Sequence, residues 1–148
     1  MKEYFMEEAL REAERALRLK EVPVGAVIVK DNIIIARAHN LKETLKDPTA
    51  HAEILAIKEA CRILNNWRLE GCQMYVTLEP CAMCASTIGQ ARIKKLYVGT
   101  FDPTAGACGS VVDITGSNSL NYNIEVNWLY DKRSSEILKD FFKNRRYS

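Results

Sequence analysis

Pro80-Cys81-Ala82-Met83-Cys84 sets two thiols one helical turn apart, directly after the strand breaker Glu79-Pro80. Upstream, His51-Ala52-Glu53 adds an imidazole. Three protein ligands of this kind with one open position mark a catalytic zinc, whereas a structural zinc usually closes its sphere with four. Glu53 stands two residues beyond His51, near the metal but not needed on it. A carboxylate held there can carry protons for an activated water.

Outward from this stretch, the pattern alternates strand and helix. Gln73 to Leu78 reads as a buried strand, and Cys81 opens a helix to about Ala91. A helix start lowers a thiol pKa, which suits a metal thiolate. Upstream, Asn40 to Ala50 is a polar loop. Thr49 can cap the following helix, whose apolar stripe is His51, Ile54, Leu55, Ile57, Ala60, Cys61 and Leu64. His51 and Glu53 then lie at the positive end of that helix. Earlier still, Val24 to Val29 and Ile33 to Ala36 flank Asp31-Asn32 and predict a hairpin. Gly25 and Ala26 allow a close approach to the backbone, by a ligand or by a packed helix.

Tyr4 to Lys20 is an amphipathic helix with Phe5, Met6, Ala9, Leu10, Ala13, Ala16 and Leu17 inward. Glu7, Glu8, Arg11, Glu12 and Arg15 take its other side. Downstream, Lys95 to Gly99 is a strand and Thr100 to Ser110 a long exposed loop. Asp113 to Asn123 is polar, Ile124 to Leu129 a fifth strand, and Lys132 to Arg146 a last helix. The fold class is α/β: a three-layer α/β/α sandwich around one sheet, with two helix starts converging at the carboxyl ends of strands.

The 148 residues fit one domain spanning 1–148, with an ordinary 47% apolar and 27% charged composition and a net charge of +2. No signal-peptide pattern or membrane-length apolar run is present, so cytoplasm is the expectation. Five cysteines, an odd number, point to metal rather than to a disulfide framework. Charge concentrates at the end of the chain. There Lys132, Arg133, Lys139, Lys143, Arg145 and Arg146 interleave with Phe141, Phe142 and Tyr147. Cations bind phosphate and aromatics stack on bases, so RNA contact is expected of Phe142 and Arg145, with Phe141 packed on the sheet.

From residue types alone, three other readings of the thiols stay open. They could form a redox dithiol, which leaves His51-x-Glu53 without a role. They could belong to a closed zinc site with Cys61, Cys72 or Cys108 as fourth ligand, or they could be core thiols.

His51-Ala52-Glu53 with Pro80-Cys81-Ala82-Met83-Cys84 resembles the cytidine deaminase-like superfamily, where this pairing is the zinc deaminase signature. More narrowly, the chain is similar to the bacterial tRNA-specific adenosine deaminases. The likeness runs through Glu21–Val27, Asp47–Glu53, Tyr75–Pro80, Gly106–Ser110 and Asp140–Phe142 with Arg145-Arg146. The resemblance implies conversion of adenosine to inosine at the wobble position of a tRNA anticodon. It implies one zinc per subunit on His51, Cys81 and Cys84, and proton transfer by Glu53. Asn40 and the backbone near Ala52 would meet the base, with Asp102 and Asn121 near the flanking nucleotides. A homodimer and a mixed five-stranded sheet are also implied, the helix of Met83 and Ile88 being a candidate dimer face. Phe101 and Thr104 stand where relatives often carry basic residues. The rivals are a deaminase of a free base, nucleoside or nucleotide, and a non-catalytic zinc-stabilised RNA-binding module.

Overall fold

The structure is a computed structural model and describes residues 1–116 and 120–146, Arg146 in its backbone only. Ser117 to Ser119, within the stretch expected to be polar, and Tyr147 of the basic tail lie outside the described residues. The elements run α1 (Lys2–Arg18), β1 (Gly25–Lys30), β2 (Ile33–His39), α2 (Ala52–Leu64), β3 (Cys72–Leu78), α3 (Ala82–Gln90), β4 (Lys95–Thr100), β5 (Glu125–Trp128) and α4 (Lys132–Arg146).

The expected hairpin forms. Asp31 and Asn32 take φ of 52° and 62°, the left-handed pair that a tight two-residue turn requires. β1 is antiparallel to β2 on one side and to β3 on the other, and β3, β4 and β5 run parallel. The result is a mixed five-stranded sheet in the order β2-β1-β3-β4-β5.

Strand alternation builds the two faces. Ala26 and Ile28 of β1 join Met74 and Val76 of β3 in one core with Ala56, Ile57 and Ala60 of α2 and Ile88 of α3. Val27, Val29 and Tyr75 point the other way, onto Phe5, Met6, Ala9 and Leu10 of α1. Tyr75 stacks on Tyr97 with centroids 4.3 Å apart, binding the parallel β3–β4 pair on that face. α4 lies against β4 and touches α1, which completes the second helical layer.

The small residues at the start of β1 answer to packing by a helix. A Cβ on Gly25 would collide with the carbonyl oxygen of Ala9 and come within 2.5 Å of the Ala13 amide nitrogen.

Four sequence expectations are corrected. Glu12 was placed on the solvent side of α1, yet it is 2% exposed. Its carboxylate meets His39 Nδ1 at 2.8 Å and Arg15 at 3.3 Å, a polar group buried because it is paired. Thr49 does not cap α2. The cap position is His51, and Thr49 binds Asp47 Oδ1 through its amide and hydroxyl, both at 2.8 Å. The 100–110 loop is not exposed throughout, since Gly106, Ala107 and Cys108 are buried. Ile88 is wholly buried in the monomer core, so it is not available to a second copy.

Candidate active site

His51 and Cys81 hold equivalent places at the starts of α2 and α3. Each is the residue immediately before its helix, in extended conformation (φ −77°, ψ 154° and φ −74°, ψ 177°), and neither makes a side-chain cap. Ser, Thr, Asp or Asn at such a position would stabilise the helix by about 1 kcal/mol. Here that position is given to a side chain that turns into the site. The free amides of both helix starts remain, and with them a positive potential that favours thiolate and carboxylate.

His51 Nδ1 lies 3.7 Å from Cys81 Sγ and 3.5 Å from Cys84 Sγ. Two ligands of a tetrahedral zinc, one nitrogen and one sulfur, are separated by roughly 3.6 Å when each sits at its usual bond length. Both nitrogen–sulfur pairs therefore match the spacing of ligands on a shared ion. Among the described residues these three form the metal-competent group, their donor atoms within 4.8 Å of one another. Cys61 is half-buried and directs its thiol at the Trp67 carbonyl, 3.8 Å away. Cys72 and Cys108 are buried elsewhere in the core. None of the three completes a fourth corner.

The electrostatics of the donor set favour a cation. Glu53 is 3% exposed. Burial, with the neighbouring Cys81 thiolate adding to it, pushes its carboxyl up to about 7. A hydrogen bond from Cys84 holds Cys81 down at about 4, against the cost of burial and with help from His51. Cys84 is driven far above the usual thiol range by that same hydrogen bond and by burial. Protein groups alone thus support one thiolate in this cluster. A divalent cation would displace the second proton and offset the crowding of negative charge.

The site opens into a pocket of 230 Å³ lined by His51, Ala52, Glu53, Cys81, Asn40 and Asp102, among others. A larger hollow of 520 Å³ runs along the outer edge of β2 beside Glu12, Arg15 and Glu59, and contains none of the metal-competent residues. Asn40 is 8% exposed; it donates from Nδ2 to the Val22 carbonyl at 3.2 Å and accepts from the Lys42 amide at 3.0 Å. One N–H and one lone pair remain for a ligand. Asp102 reaches the pocket, but its Oδ1 closes its own turn, accepting from the Thr104 amide and hydroxyl and the Ala105 amide.

The other expected contacts lie outside this lining. Asn121 is exposed with φ of 57°. It adjoins Tyr122, whose hydroxyl meets Ser86 at 3.0 Å and Gln90 at 2.9 Å on α3. On α4 Phe142 is 44% exposed, while Phe141 is half-buried and, instead of joining either core cluster of the sheet, sets its ring edge-on to Phe142 with centroids 5.2 Å apart. Arg145 lies over the Phe141 ring at 5.9 Å.

Sequence reasoning missed Glu21, which is 1% exposed. Its carboxylate accepts from the Glu43 amide at 3.1 Å and from the Thr44 amide and hydroxyl at 2.6 Å each. It clamps the loop that brings Lys42 to the pocket. Burial opposes its ionisation, but the Thr44 and Glu43 hydrogen bonds win and hold its carboxyl below the ordinary value. The sequence carried no signal for it, since a glutamate is ordinarily exposed and only the fold buries this one and supplies its partners.

An α/β sheet whose helix starts present His, Cys and Cys beside a buried, unligated carboxylate defines the zinc-type hydrolytic deaminase class. Comparisons with known proteins narrow this. Residues 1–146 match the family model described as MafB19-like deaminase. The chain is 52% identical over 145 residues to the tRNA-specific adenosine deaminase of Aquifex aeolicus (strain VF5), covering 98% of this chain and 96% of that one. It is 44% identical to the tRNA-specific adenosine deaminase of Bacillus subtilis (strain 168), covering 97% and 90%. A solved structure from work on A-to-I editing by tRNA:A34 deaminases at the wobble position of transfer RNA superposes with a TM-score of 0.88 at 47% identity. That match covers 91% of this chain and 99% of the other. The chain belongs to the family of tRNA-specific adenosine deaminases.

Proposed function

We propose that this chain converts adenosine to inosine by hydrolysis at the wobble position of a tRNA anticodon, using one zinc ion held by His51, Cys81 and Cys84. The observation that carries this reading is the buried Glu53 carboxyl beside that three-donor group, in a pocket open to solvent. When bound, zinc lowers the pKa of a water molecule toward ~7 and so supplies the nucleophile.

Glu53 moves the protons. Its buried carboxyl stands beside the donor group without being needed as a ligand, which a residue acting first as base and then as acid requires. It accepts one proton of the attacking water and delivers it to N1 of the adenine; it then takes the proton left on the added oxygen and passes it to the amine, which departs as ammonia. Asn40 offers its remaining N–H and lone pair to a purine edge, and the Ala52 backbone lines the same wall. An anticodon loop presents its base nearly unstacked, so entry into the pocket costs little.

The same reading makes the enzyme a cytoplasmic homodimer. No helix among the described residues is long and apolar enough to cross a membrane. The exposed cations of α4, with Phe142, offer a basic surface for RNA.

The test is mass analysis of an anticodon stem-loop after incubation with the zinc-loaded protein, alongside free adenosine, guanine and cytosine. A mass increase of about 1 Da at the wobble nucleotide is expected, the balance of replacing an amine by a carbonyl. Turnover of a free base with none of the stem-loop would transfer the activity to the base-deaminase class.

A further inference from the structure

Glu79 closes β3 and is 2% exposed, next to the site but outside the chemistry described above. Its carboxylate accepts four hydrogen bonds from one loop. Oε1 takes the Asp102 amide at 2.9 Å and the Ser110 hydroxyl. Oε2 takes the Cys108 amide at 2.9 Å and the Ser110 amide at 3.1 Å. A carboxylate has about four acceptor positions, so this one is saturated and has none to give a substrate. Hydrogen bonds to an ionised acceptor are about twice as strong as neutral ones, so the loop is seated firmly.

The backbone is shaped to match. The Ala107 amide donates to the Pro80 carbonyl at 2.9 Å, and the Gly106 amide to the Asp102 carbonyl at 3.0 Å. A Cβ on Gly106 would collide with the Glu79 carboxyl carbon and come within 2.6 Å of the Asp102 carbonyl oxygen. The loop so held brings Asp102 and Ala105 to the wall of the pocket that contains Glu53. Glu79, directly after β3, therefore stands one residue from Cys81 and holds on its carboxylate the loop that supplies Asp102 and Ala105 to the same pocket.

We infer that Glu79 is a positioning residue for the substrate: it sets the 101–110 loop as the pocket wall against which the RNA nucleotides beside the reacting base are held. This inference rests on the deaminase reading of the site. A wall displaced by an ångström weakens binding and alignment of the RNA without removing the metal or the proton carrier, so the loss falls on KM and Kd.

The experiment compares wild type with Glu79→Gln, Gly106→Ala and Ser110→Ala, each loaded with zinc and checked for metal content. Inosine formation in an anticodon stem-loop yields KM and zinc-normalised kcat. Fluorescence anisotropy of the same RNA, in a Glu53→Ala background, yields Kd. Glu79→Gln presents donors to amides that need an acceptor, and Gly106→Ala pushes the loop off from the other side. Both are expected to raise KM and Kd by at least about fivefold, with kcat per zinc within about threefold of wild type. Ser110→Ala, which removes one of the four bonds, is expected to give a smaller rise in the same direction. A rise below fivefold in folded, zinc-replete Glu79→Gln and Gly106→Ala would overturn the inference, whatever happens to kcat. If Glu79→Gln fails to fold, Gly106→Ala decides by the same threshold. Wild type that binds the stem-loop but forms no inosine would sink the deaminase reading instead, and the Kd comparison would still judge the loop.

Discussion

His51 Nδ1 stands 3.5 Å from Cys84 Sγ, although 33 residues separate the two in the chain. The contact exists because two helices begin side by side at one end of the sheet. It separates two roles that mutation can tell apart. Glu53→Ala is expected to retain about one zinc per chain and to lose at least ~10²-fold in kcat, the ordinary worth of a positioned proton carrier. Cys84→Ala is expected to lose the zinc as well as the activity. Metal analysis of both purified variants checks this, and full zinc in Cys84→Ala would remove that thiol from the ligand set.

Glu21 makes the loop of Lys42, Glu43 and Thr44 sensitive to acid. Its folded-state pKa lies below the ordinary 4.5, so as pH falls the unfolded chain takes up the proton first. The stability it confers is complete at neutral pH and is lost as pH falls from about 4.5 through the lower folded value. Urea unfolding at pH 6.5 and at pH 3.5 should therefore show a larger gap between wild type and Glu21→Gln at the higher pH. An equal gap at both would count against the clamp.

Gly25 lies under α1 with no room for a methyl group, the neighbouring atoms being the backbone of Ala9 and Ala13. Backbone cannot rotate away as a side chain can. Gly25→Ala should cost about 3 kcal/mol, the upper part of the range for overpacking, and lower Tm by roughly 6 °C or more. Calorimetry checks it, and a change under about 2 °C would show that α1 shifts freely.

The end of α4 presents two kinds of side chain through which the proposed RNA contact can be tested. Lys143 and Arg145 are exposed cations, and Phe142 is an exposed ring. Replacing both cations by Ala should weaken stem-loop binding and reduce the slope of log K against log salt by about 1.4, near 0.7 per lost phosphate contact on single strands. Phe142→Ala should weaken binding by about 1 kcal/mol or more with the slope unchanged. Anisotropy titrations across a salt series distinguish the two, and unaltered binding in both variants would remove the tail from the interface.

The chemistry-bearing residues were legible early because their relationships are local. Cys81 and Cys84 are one turn apart, His51 and Glu53 share a helix start, and the apolar stripes of α1 and α2 repeat within a few residues. The positive φ at Asp31 and Asn32 likewise follows from two residues between apolar runs. The partners of Glu12, Glu21 and Glu79 were not legible. They are His39, the Glu43 and Thr44 amides, and the Asp102, Cys108 and Ser110 amides, all far along the chain. A backbone amide has no residue type, so no pattern of letters announces which one a buried carboxylate will find.

The amino-acid sequence on its own marked His51, Cys81 and Cys84 as candidate donors and Glu53 as a candidate proton carrier, and it set the strand–helix alternation, because each depends on spacing within one turn or one strand; the family followed from likeness along the chain. Only the tertiary structure decided which charged side chains go inside and which loops they hold. Those outcomes depend on which distant polar groups meet when the sheet and its helices close, since burying a charge is tolerable only where such partners arrive.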